Sequence, residues 1–474
     1  MRRLLPLKTN YGVVSIALLA VISPVHARLQ NADTDWFSKA RYGVINHFLY
    51  DYNDIKGDWN TIVDAFDVDA YALQCQQAGV GYVMFTLGQN SGYFCSPNAT
   101  YNAYCGWSAG QRCSRRDLPL ALGTALSAKG IKLMLYLPSG APDRDLIAKE
   151  KLGWQNAHVS QSFQEKWENV IREWSLRYGD KVSGWWFDGI YAPASYQDTT
   201  AAHGFKTFAE AAKAGNAHRI VAFNPGVSIM RLSEYEDYTA GEQNNIAPPG
   251  PGRWFEGLQW HCLTYLGTFW GEPGTQNSTA DLVNYVRSAN ARGGVVTLDI
   301  QTSKSGVWNS SQFAQLRALK DSLAQPLDSV ASNRGPKTVF VNDSSSSIVY
   351  TGQWGRNTLI DNYQRDAHVA RENGASCSYS FEGSSIQFVG PHAADMGDVE
   401  VQIDGAVKAT VNAYSVHPYA RYSLYSIDTL SAGAHTIKLT KKSGSYMIVD
   451  GFWVQATEGS PAKNANSLVP AKPQ

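Results

Sequence analysis

Between residues 36 and 325 the sequence alternates short apolar runs with longer amphipathic stretches. Apolar runs of this length, rich in β-branched and aromatic residues, predict buried strands, and the amphipathic stretches predict the helices that connect them. Eight runs fit a strand: residues 42–48, 81–87, 132–137, 184–188, 220–224, 235–239, 263–270 and 295–300. Eight strands separated by helices predict a (β/α)8 TIM-like barrel, although the fifth and sixth units leave little room for a full helix.

After Pro326 the pattern changes. A polar, turn-rich stretch at 328–336 is followed by short alternating runs with hairpin signals such as Asp404-Gly405, and helical spacing is lacking. Such a series predicts an all-β sandwich domain. We therefore expect a catalytic barrel at 28–327, a sandwich at 336–456 and a disordered tail at 457–474.

The first 27 residues have the order of a secretory signal peptide. Arg2, Arg3 and Lys8 precede an apolar stretch at 13–22, and Val25-His26-Ala27 is a small-x-small cleavage pattern. About ten apolar residues fall well short of the roughly 20 that a membrane span requires. We expect cleavage after Ala27, a secreted, extracellular protein, and no membrane association once the signal is removed.

Cysteines and glycosylation motifs fit that compartment. One loop-like segment contains three cysteines, Cys95, Cys105 and Cys113, and Cys75 precedes it on a helical pattern. This grouping predicts a disulfide-stapled loop, although the sequence leaves the pairing open. Cys262 and Cys377 are expected to be buried thiols. Sequons begin at four positions: Asn98, Asn277, Asn309 and Asn342.

Charge and motif content exclude several function classes. The chain has 41 basic and 41 acidic residues, so it lacks the positive charge by which nucleic-acid binders neutralise phosphate. It contains no Rossmann fingerprint, P-loop or nucleophile elbow in the required context, and no convincing metal-ligand spacing. We expect no nucleic-acid partner, no cofactor and no bound metal.

The active site of such a barrel lies at the carboxyl ends of its strands. Asp188 follows the apolar run Trp185-Trp186-Phe187, which directs its carboxylate into the barrel mouth, although an Asp before Gly189 can also simply cap a turn. Glycoside hydrolysis requires a second carboxylate. Glu242, after the sixth predicted strand, is our choice for it.

Other acids remain possible for that second role: Glu234, Asp237 and Glu272. Aromatic and polar side chains near strand ends are candidates for binding a sugar ring, because aromatic faces stack on the apolar face of a pyranose. The candidates are His47, Trp59, Gln89, Asn90, Tyr136, Asn224, Trp260 and Trp270.

The ordered segments resemble glycoside hydrolase family 29, the α-L-fucosidases. They are Trp36-Phe-Ser-Lys-Ala-Arg-Tyr-Gly with His47, Phe66-Asp-Val-Asp, Ala78-Gly-Val-Gly-Tyr-Val-Met-Phe-Thr86, Arg116-Asp-Leu, Gly130-Ile-Lys-Leu-Met-Leu-Tyr136, Trp186-Phe-Asp-Gly189, Asp237-Tyr-Thr-Ala-Gly-Glu242, Trp260 to Trp270-Gly and Arg292-Gly-Gly. The resemblance implies that Asp188 is the nucleophile of a retaining mechanism and that His47 binds the sugar. The sequence departs from the family pattern at Gln89-Asn90, because the family typically has a His-His pair at these two positions.

From these observations we expect a secreted retaining exo-glycosidase that removes terminal α-L-fucosyl residues from a carbohydrate partner. Two alternatives stay open: the same mechanism on a different glycone, motivated by Gln89-Asn90, and a non-catalytic glycan-binding protein. Residues 337–456 resemble a carbohydrate-binding sandwich. The sequence leaves the oligomeric state undetermined.

Overall fold

The computed structural model describes residues 31–50, 57–155, 159–246, 250, 252–325, 327, 338–357, 366–415 and 419–456. The expected signal peptide at 1–27, the linker at 328–336 and the tail at 457–474 lie outside these residues, so they stay predictions. Within the described part of the chain, every helix is too short or too polar to cross a membrane.

Seven parallel strands form the sheet of the N-terminal region. Along the chain the strands are β1 Tyr42–Asn46, β2 Tyr82–Thr86, β3 Lys132–Pro138, β4 Gly184–Asp188, β5 Ile220–Phe223, the short hairpin β6 Trp254–Phe255 and β7 Leu258–Gln259, β8 His261–Tyr265 and β9 Val295–Asp299. The sheet order is β5-β4-β3-β2-β1-β9-β8, with the hairpin outside it. Seven of the eight predicted strands are present, and the sheet is consistent with a TIM-like barrel.

The sixth predicted strand, at 235–239, is not a regular strand among the described residues, which corrects the expectation. Side-chain carboxylates replace backbone carbonyls beside β5: Asp237 accepts from the Val221 amide (2.8 Å) and Glu236 from the Phe223 amide (3.2 Å). Because these carboxylates accept hydrogen bonds from amides that would otherwise donate to the carbonyls of a neighbouring strand, a continuous backbone hydrogen-bond ladder cannot form there.

The same segment nevertheless lies between the two edge strands of the sheet. The Asp237 amide donates to the Val221 carbonyl of β5 (2.9 Å), and the Leu263 amide of β8 donates to the Gly241 carbonyl (2.8 Å). Gly241 has φ +66 and the Cβ of any other residue would lie about 2.0 Å from the His261 carbonyl oxygen, so the close approach requires glycine. An irregular segment thus takes the sixth strand position.

Helices connect most of the strands. They are α1 Asp35–Ala40, α2 Trp59–Asp64, α3 Val68–Ala78, α4 Ala99–Cys105, α5 Leu118–Ser127, α6 Leu146–Leu152, α7 Gln161–Tyr178, α8 Ala194–Gln197, α9 Phe205–Ala212, α10 Thr279–Ala291 and α11 Ser310–Leu323. Local chemistry sets their ends. Asp67 caps α3 by accepting from the Asp69 and Ala70 amides, and Gly79 ends that helix in the left-handed conformation.

Two apolar layers hold the barrel region together. One fills the space between sheet and helices; the other fills the barrel interior with side chains that include Met84, Met134, Trp186 and Leu263. All the residues of β1, β2 and β5 are buried. Buried strands of this kind fix the positions of the polar residues that follow them.

The cysteine-containing loop carries no disulfide in the structure, in contrast to the expected staple. All six cysteines are buried thiols, and burial raises the pKa of the Cys95 thiol well above its ordinary value. Backbone hydrogen bonds close the loop instead: the Phe94 amide donates to the Arg112 carbonyl (3.0 Å) and the Ser114 amide to the Phe94 carbonyl (2.9 Å).

The sequon at Asn98 is not available for a glycan in this structure. Asn98 is fully buried at the start of α4, where its carboxamide donates to the Val170 carbonyl (2.9 Å) and accepts from the Tyr101 amide (2.7 Å). Its side-chain nitrogen is therefore committed to the fold.

The C-terminal region is built of antiparallel strands. They are β10 Thr338–Asn342, β11 Ile348–Thr351, β12 Trp354–Asn357, β13 Ala367–Ala370, β14 Ser376–His392, β15 Asp398–Ile403, β16 Ala406–Asn412, β17 Tyr419–Ile427, β18 Gly433–Lys441, β19 Met447–Val449 and β20 Gly451–Ala456. Eight form one sheet and β12, β13 and β19 form another. Asp404 and Gly405 both have positive φ in the β15–β16 turn, as the hairpin signal predicts.

The strand-rich region has its own core and also contacts the barrel region. Its core includes Phe381, Phe388 and Phe452. The ring of Trp453 lies 4.8 Å from that of Phe255 in the β6–β7 hairpin. An aromatic contact therefore joins the two regions.

Candidate active site

A cavity of about 520 Å³ lies at the carboxyl ends of the parallel strands. Several elements contribute to its wall, which includes His47 after β1, Tyr136 of β3, Asp188 of β4 and Trp270 after β8. Glu242 enters from the irregular segment between β5 and β8. The cavity thus collects side chains that are far apart in sequence.

Asp188 is oriented by two hydrogen bonds, one to each carboxylate oxygen. The Tyr136 hydroxyl donates to Oδ2 (2.6 Å) and the Asn224 amide to Oδ1 (2.9 Å). Tyr136 lies within β3 and Asn224 directly follows β5, so both partners come from the two strands that pair with β4. The carboxylate is held at one angle in the cavity wall.

Glu242 shares a donor with Asp188. The same Asn224 amide nitrogen lies 2.5 Å from Glu242 Oε2, which places the two acids on either side of one carboxamide. Burial, together with the nearby charge of Asp188, raises the pKa of Glu242 to about 7, although the Asn224 hydrogen bond and His47 act in the opposite direction. Glu242 therefore retains a proton over much of the range below neutral pH.

His47 is positioned by a buried carboxylate. Its Nδ1 lies 2.9 Å from Asp299 Oδ1, and the other Asp299 oxygen accepts a hydrogen bond from the Gly271 amide. Asp299 therefore links His47 to the turn that carries Trp270, whose ring centroid is 6.0 Å from that of the imidazole. This arrangement gives the cavity one polar and one aromatic wall.

A second cavity, of about 240 Å³, adjoins the first. The two share Gln89, Tyr136 and Asp188, which form a chain of hydrogen bonds because Gln89 donates to the Tyr136 hydroxyl (2.7 Å). Asn90 lines the second cavity rather than the first. The two residues that replace the family's His pair thus lie at the junction of the cavities and beyond it.

The alternative acids occupy different environments. Glu234 is exposed and lines neither cavity. Asp237 is buried and paired with Lys213 (2.7 Å), which is a structural role. Glu272 is exposed at the rim of the first cavity. Of the four acids, Glu242 is the one that lines the first cavity and also shares a hydrogen-bond donor with Asp188.

Two predicted sugar contacts lie elsewhere, in the core. Trp59 is 3% exposed and its indole nitrogen donates to the Phe94 carbonyl (2.9 Å). Trp260 is 2% exposed and packs against glycines 250 and 294. Neither ring lines the two cavities, because both fill space between the sheet and its covering elements.

Several lining residues were not predicted from the sequence. Gln301, Thr302 and Lys304 follow β9 and line the first cavity, where an extension of the strand-end rule by a few residues would have found them. Trp154 and Tyr191 line the second cavity from long connections. Nothing in the local pattern marks these two aromatic residues.

Within the described residues, no group of three or more His, Cys, Asp or Glu side chains is arranged to hold a metal ion.

A parallel α/β sheet whose strand ends present two carboxylates around one cavity is the arrangement of a glycoside hydrolase. The family model for alpha-L-fucosidase matches residues 11–325. The chain belongs to this family, glycoside hydrolase family 29, as the sequence segments indicated.

Curated relatives match only part of their own length. An A type blood N-acetyl-alpha-D-galactosamine deacetylase from Flavonifractor plautii is 34% identical over 104 residues, which cover 22% of this chain and 13% of that protein. An A type blood alpha-D-galactosamine galactosaminidase from the same organism is 31% identical over 121 residues, covering 26% of this chain and 11% of the relative. The chain thus spans a small fraction of either protein.

Two solved structures resemble this chain at low sequence identity. The endo-fucoidan hydrolase MfFcnA4 from glycoside hydrolase family 107 is 15% identical with a TM-score of 0.51, and the match covers 93% of this chain and 70% of that one. An alpha-L-fucosidase from Lactobacillus casei, in complex with alpha-L-fucose, is 16% identical with a TM-score of 0.44, covering 61% and 98%.

Proposed function

We propose that this protein is a retaining α-L-fucosidase that releases terminal α-L-fucosyl residues from glycans by double displacement. The observation that carries the proposal is the single Asn224 amide bonded to both Asp188 and Glu242. Asp188 Oδ1 lies 2.9 Å and Glu242 Oε2 lies 2.5 Å from the Asn224 amide nitrogen, so the two oxygens cannot be farther apart than the sum of these distances. Retaining enzymes hold their carboxyl groups about 5 to 5.5 Å apart, whereas inverting enzymes need room for a water between them.

The proposed first step divides the chemistry between the two acids. The Asp188 carboxylate forms a bond to the anomeric carbon while the bond from that carbon to the leaving oxygen breaks. Glu242 gives its proton to the leaving oxygen. The raised pKa of Glu242 supports this assignment, because the acid must be protonated when the substrate binds.

The second step returns the enzyme to its starting state. Glu242, now a carboxylate, takes a proton from water as the water oxygen bonds to the anomeric carbon. The bond to Asp188 breaks and the sugar leaves with its original anomeric configuration. Departure of the first product lets water reach the intermediate from the side of Glu242.

The sugar would be held in the first cavity by His47, Trp270 and Gln89. Trp270 offers an aromatic face for the apolar face of the ring, and His47, fixed by Asp299, offers a ring nitrogen to a hydroxyl. Family membership supports an α-L-fucosyl residue at this position.

Hydrolysis of an aryl α-L-fucoside tests the proposal. We expect the wild type to be active, with α-fucose as the first anomer seen by NMR, and D188A to lose at least about a thousandfold in kcat. E234A, which removes an exposed acid from the same segment as Glu242, serves as the matched control and should keep its rate. Substantial activity of D188A would contradict the nucleophile assignment.

Azide rescue distinguishes Glu242 from the other acids. E242A should be restored by azide and yield a fucosyl azide of retained configuration, because azide needs no proton removed before it attacks the intermediate. Rescue seen with E272A instead would move the acid/base role to Glu272.

A related glycone is the second candidate substrate. It is favoured by Gln89, whose amide donates to Tyr136 at the wall where the family typically has imidazoles. Hydrolysis of a panel of aryl α- and β-glycosides distinguishes the two candidate substrates. Activity on another sugar alone would contradict the fucosidase proposal but would remain consistent with the two-acid mechanism.

Secretion is part of the proposal and is supported by the signal-like order of residues 1–27. N-terminal sequencing of the protein from culture medium should begin at Arg28. An intact Met1 on cell-associated protein would contradict it.

A further inference from the structure

The second cavity has no role in the proposed reaction. It opens beyond Gln89, Tyr136 and Asp188, the three residues that it shares with the first cavity. Glu242 lines only the first cavity. A ligand that extended from the first cavity over these three residues would therefore enter a space on the far side of Asp188 from the proposed acid.

The strand order relates the second cavity to the position of Glu242. The second cavity is lined by residues at or after the ends of β2, β3 and β4, whereas Glu242 lies on the segment between β5 and β8, on the other side of β5 from β4. In a double displacement the leaving oxygen lies toward the acid and away from the nucleophile. With Asp188 as nucleophile and Glu242 as acid, the second cavity, which Glu242 does not line, would lie beside the hydroxyls of the reacting sugar rather than beside its leaving group.

Aromatic rings form much of its wall. The indole nitrogen of Trp154 donates to Asp143 (3.1 Å), and the Trp154 ring packs 4.7 Å from that of Phe163. At Gly140 a Cβ would lie 2.4 Å from the Trp154 ring, so this loop can cross the indole only with glycine. The ring is thus held at the cavity by a hydrogen bond and by close packing.

The opening carries a second ring. Tyr191 is 73% exposed, which is unusual for a large aromatic side chain in a well-packed barrel. Its ring edges lie beside Gly189 and Gly226, both with positive φ. A half-buried indole and an exposed phenol around one cavity form a pair of faces on which a sugar ring can stack.

The charge of the lining favours a neutral ligand. Among the described residues that line the second cavity, the acids are Asp188 and Asp143, which is paired with Lys149 (2.9 Å), and none of these lining residues is Lys or Arg. The ammonium group of Lys304 is bonded to the Leu49 carbonyl (2.5 Å). A chain bearing sulfate or carboxylate groups would meet mainly like charge, whereas an uncharged sugar would not.

We propose that the second cavity is a subsite for a neutral sugar attached to a hydroxyl of the reacting residue. The enzyme then accepts fucosyl residues that are substituted within a glycan, in addition to terminal ones. This inference rests on the proposed function, since it takes Asp188 and Glu242 as the reacting pair.

Two synthetic substrates test it. One is an aryl α-L-fucoside, which fills only the first cavity; the other carries a further neutral sugar on the fucosyl ring. We expect W154A and Y191A to lower kcat/KM about tenfold on the larger substrate, through a higher KM, and to change it less than twofold on the smaller one. Y414A removes an exposed tyrosine outside both cavities and should leave both values unchanged.

Three outcomes would overturn the subsite. The wild type could fail to hydrolyse the larger substrate while it hydrolyses the smaller; W154A and Y191A could lower both substrates equally; or their loss could appear on a fucoside with the extra sugar in the leaving group. Absence of any wild-type activity on the smaller substrate would instead reject the proposed function, so the two failures are distinguishable.

Discussion

At the scale of single residues, the site depends on one amide that serves two acids. Asn224 is fully buried and bonded to Asp188 and Glu242, so its side chain sets the spacing of the two acids, on which the proposed retaining mechanism depends. Removing it would leave two close carboxyl groups without their common donor.

The raised pKa of Glu242 predicts how the activity depends on pH on the alkaline side. Because its pKa is about 7, the protonated form of Glu242 predominates below that pH and is lost as the pH rises through it. For a fucoside with a poor leaving group, kcat/KM should fall above about pH 7. In N224A the fall should move to higher pH, because the Asn224 hydrogen bond lowers this pKa. A fall unchanged in N224A would contradict the assignment.

Asp299 is a positioning residue for His47. D299N keeps the volume of the side chain but weakens its bonds to the imidazole and to the Gly271 amide. We expect kcat/KM on an aryl α-L-fucoside to fall about tenfold, mainly through KM, because hydrogen bonds to charged groups contribute about 1.5–3 kcal/mol. A rise in KM that matches H47A and is not additive in the double variant would support the role; additive losses would oppose it.

At the scale of elements, the irregular segment between β5 and β8 determines how Glu242 reaches the cavity. Glu236 organises its start: the carboxylate accepts from the amides of Leu232 (2.7 Å), Ser233 (2.9 Å) and Phe223 (3.2 Å). Burial raises the pKa of Glu236 to about 8. The side chain substitutes for backbone pairing that a regular strand would supply.

E236A should therefore destabilise the fold. Three amides, two of them buried, would lose their acceptor, which predicts a loss of about 2–4 kcal/mol in the free energy of unfolding. Urea denaturation measures it, with E234A as the exposed control from the same segment. A loss below about 1 kcal/mol would show that water or backbone replaces the carboxylate.

Glu236 also predicts a pH dependence of stability. The folded state holds its proton more tightly than the unfolded state, so this group makes the wild type less stable as the pH rises from about 5 to 8. The decline should be smaller in E236Q, which has no proton to release in this range. Thermal denaturation across that interval provides the measurement.

At the scale of the whole molecule, the contact at Trp453 couples the strand-rich region to the barrel region. Trp453 is 7% exposed between Phe255 and Phe340, whose rings lie 4.8 and 4.9 Å away. W453A should lower the free energy of unfolding by about 3–5 kcal/mol. Activity on an aryl α-L-fucoside below the unfolding temperature should stay unchanged, since the contact is outside both cavities; Y414A is the exposed control.

The sequence was sufficient for much of the framework. Seven strands and helices such as α3 and α10 follow directly from apolar periodicity and capping residues, since these features act within a few residues of one another. The rule that active sites of such barrels lie at the carboxyl ends of the strands likewise predicts that His47, Asp188 and Glu242 lie near one another. The family assignment needed only the order of the segments.

Tertiary structure decided what depends on which face a side chain occupies. Trp59 and Trp260 follow or precede strands as Trp270 does, yet packing places the first two in the core and only the third in the cavity. The sixth strand is irregular because Glu236 and Asp237 bond to amides of β5, a contact between residues 13 to 16 positions apart. Local pattern carries no information about such contacts. The second cavity is likewise assembled from three connections, so the sequence determined the elements and the acids, and the folded chain alone determined that a further cavity adjoins the first beyond Asp188.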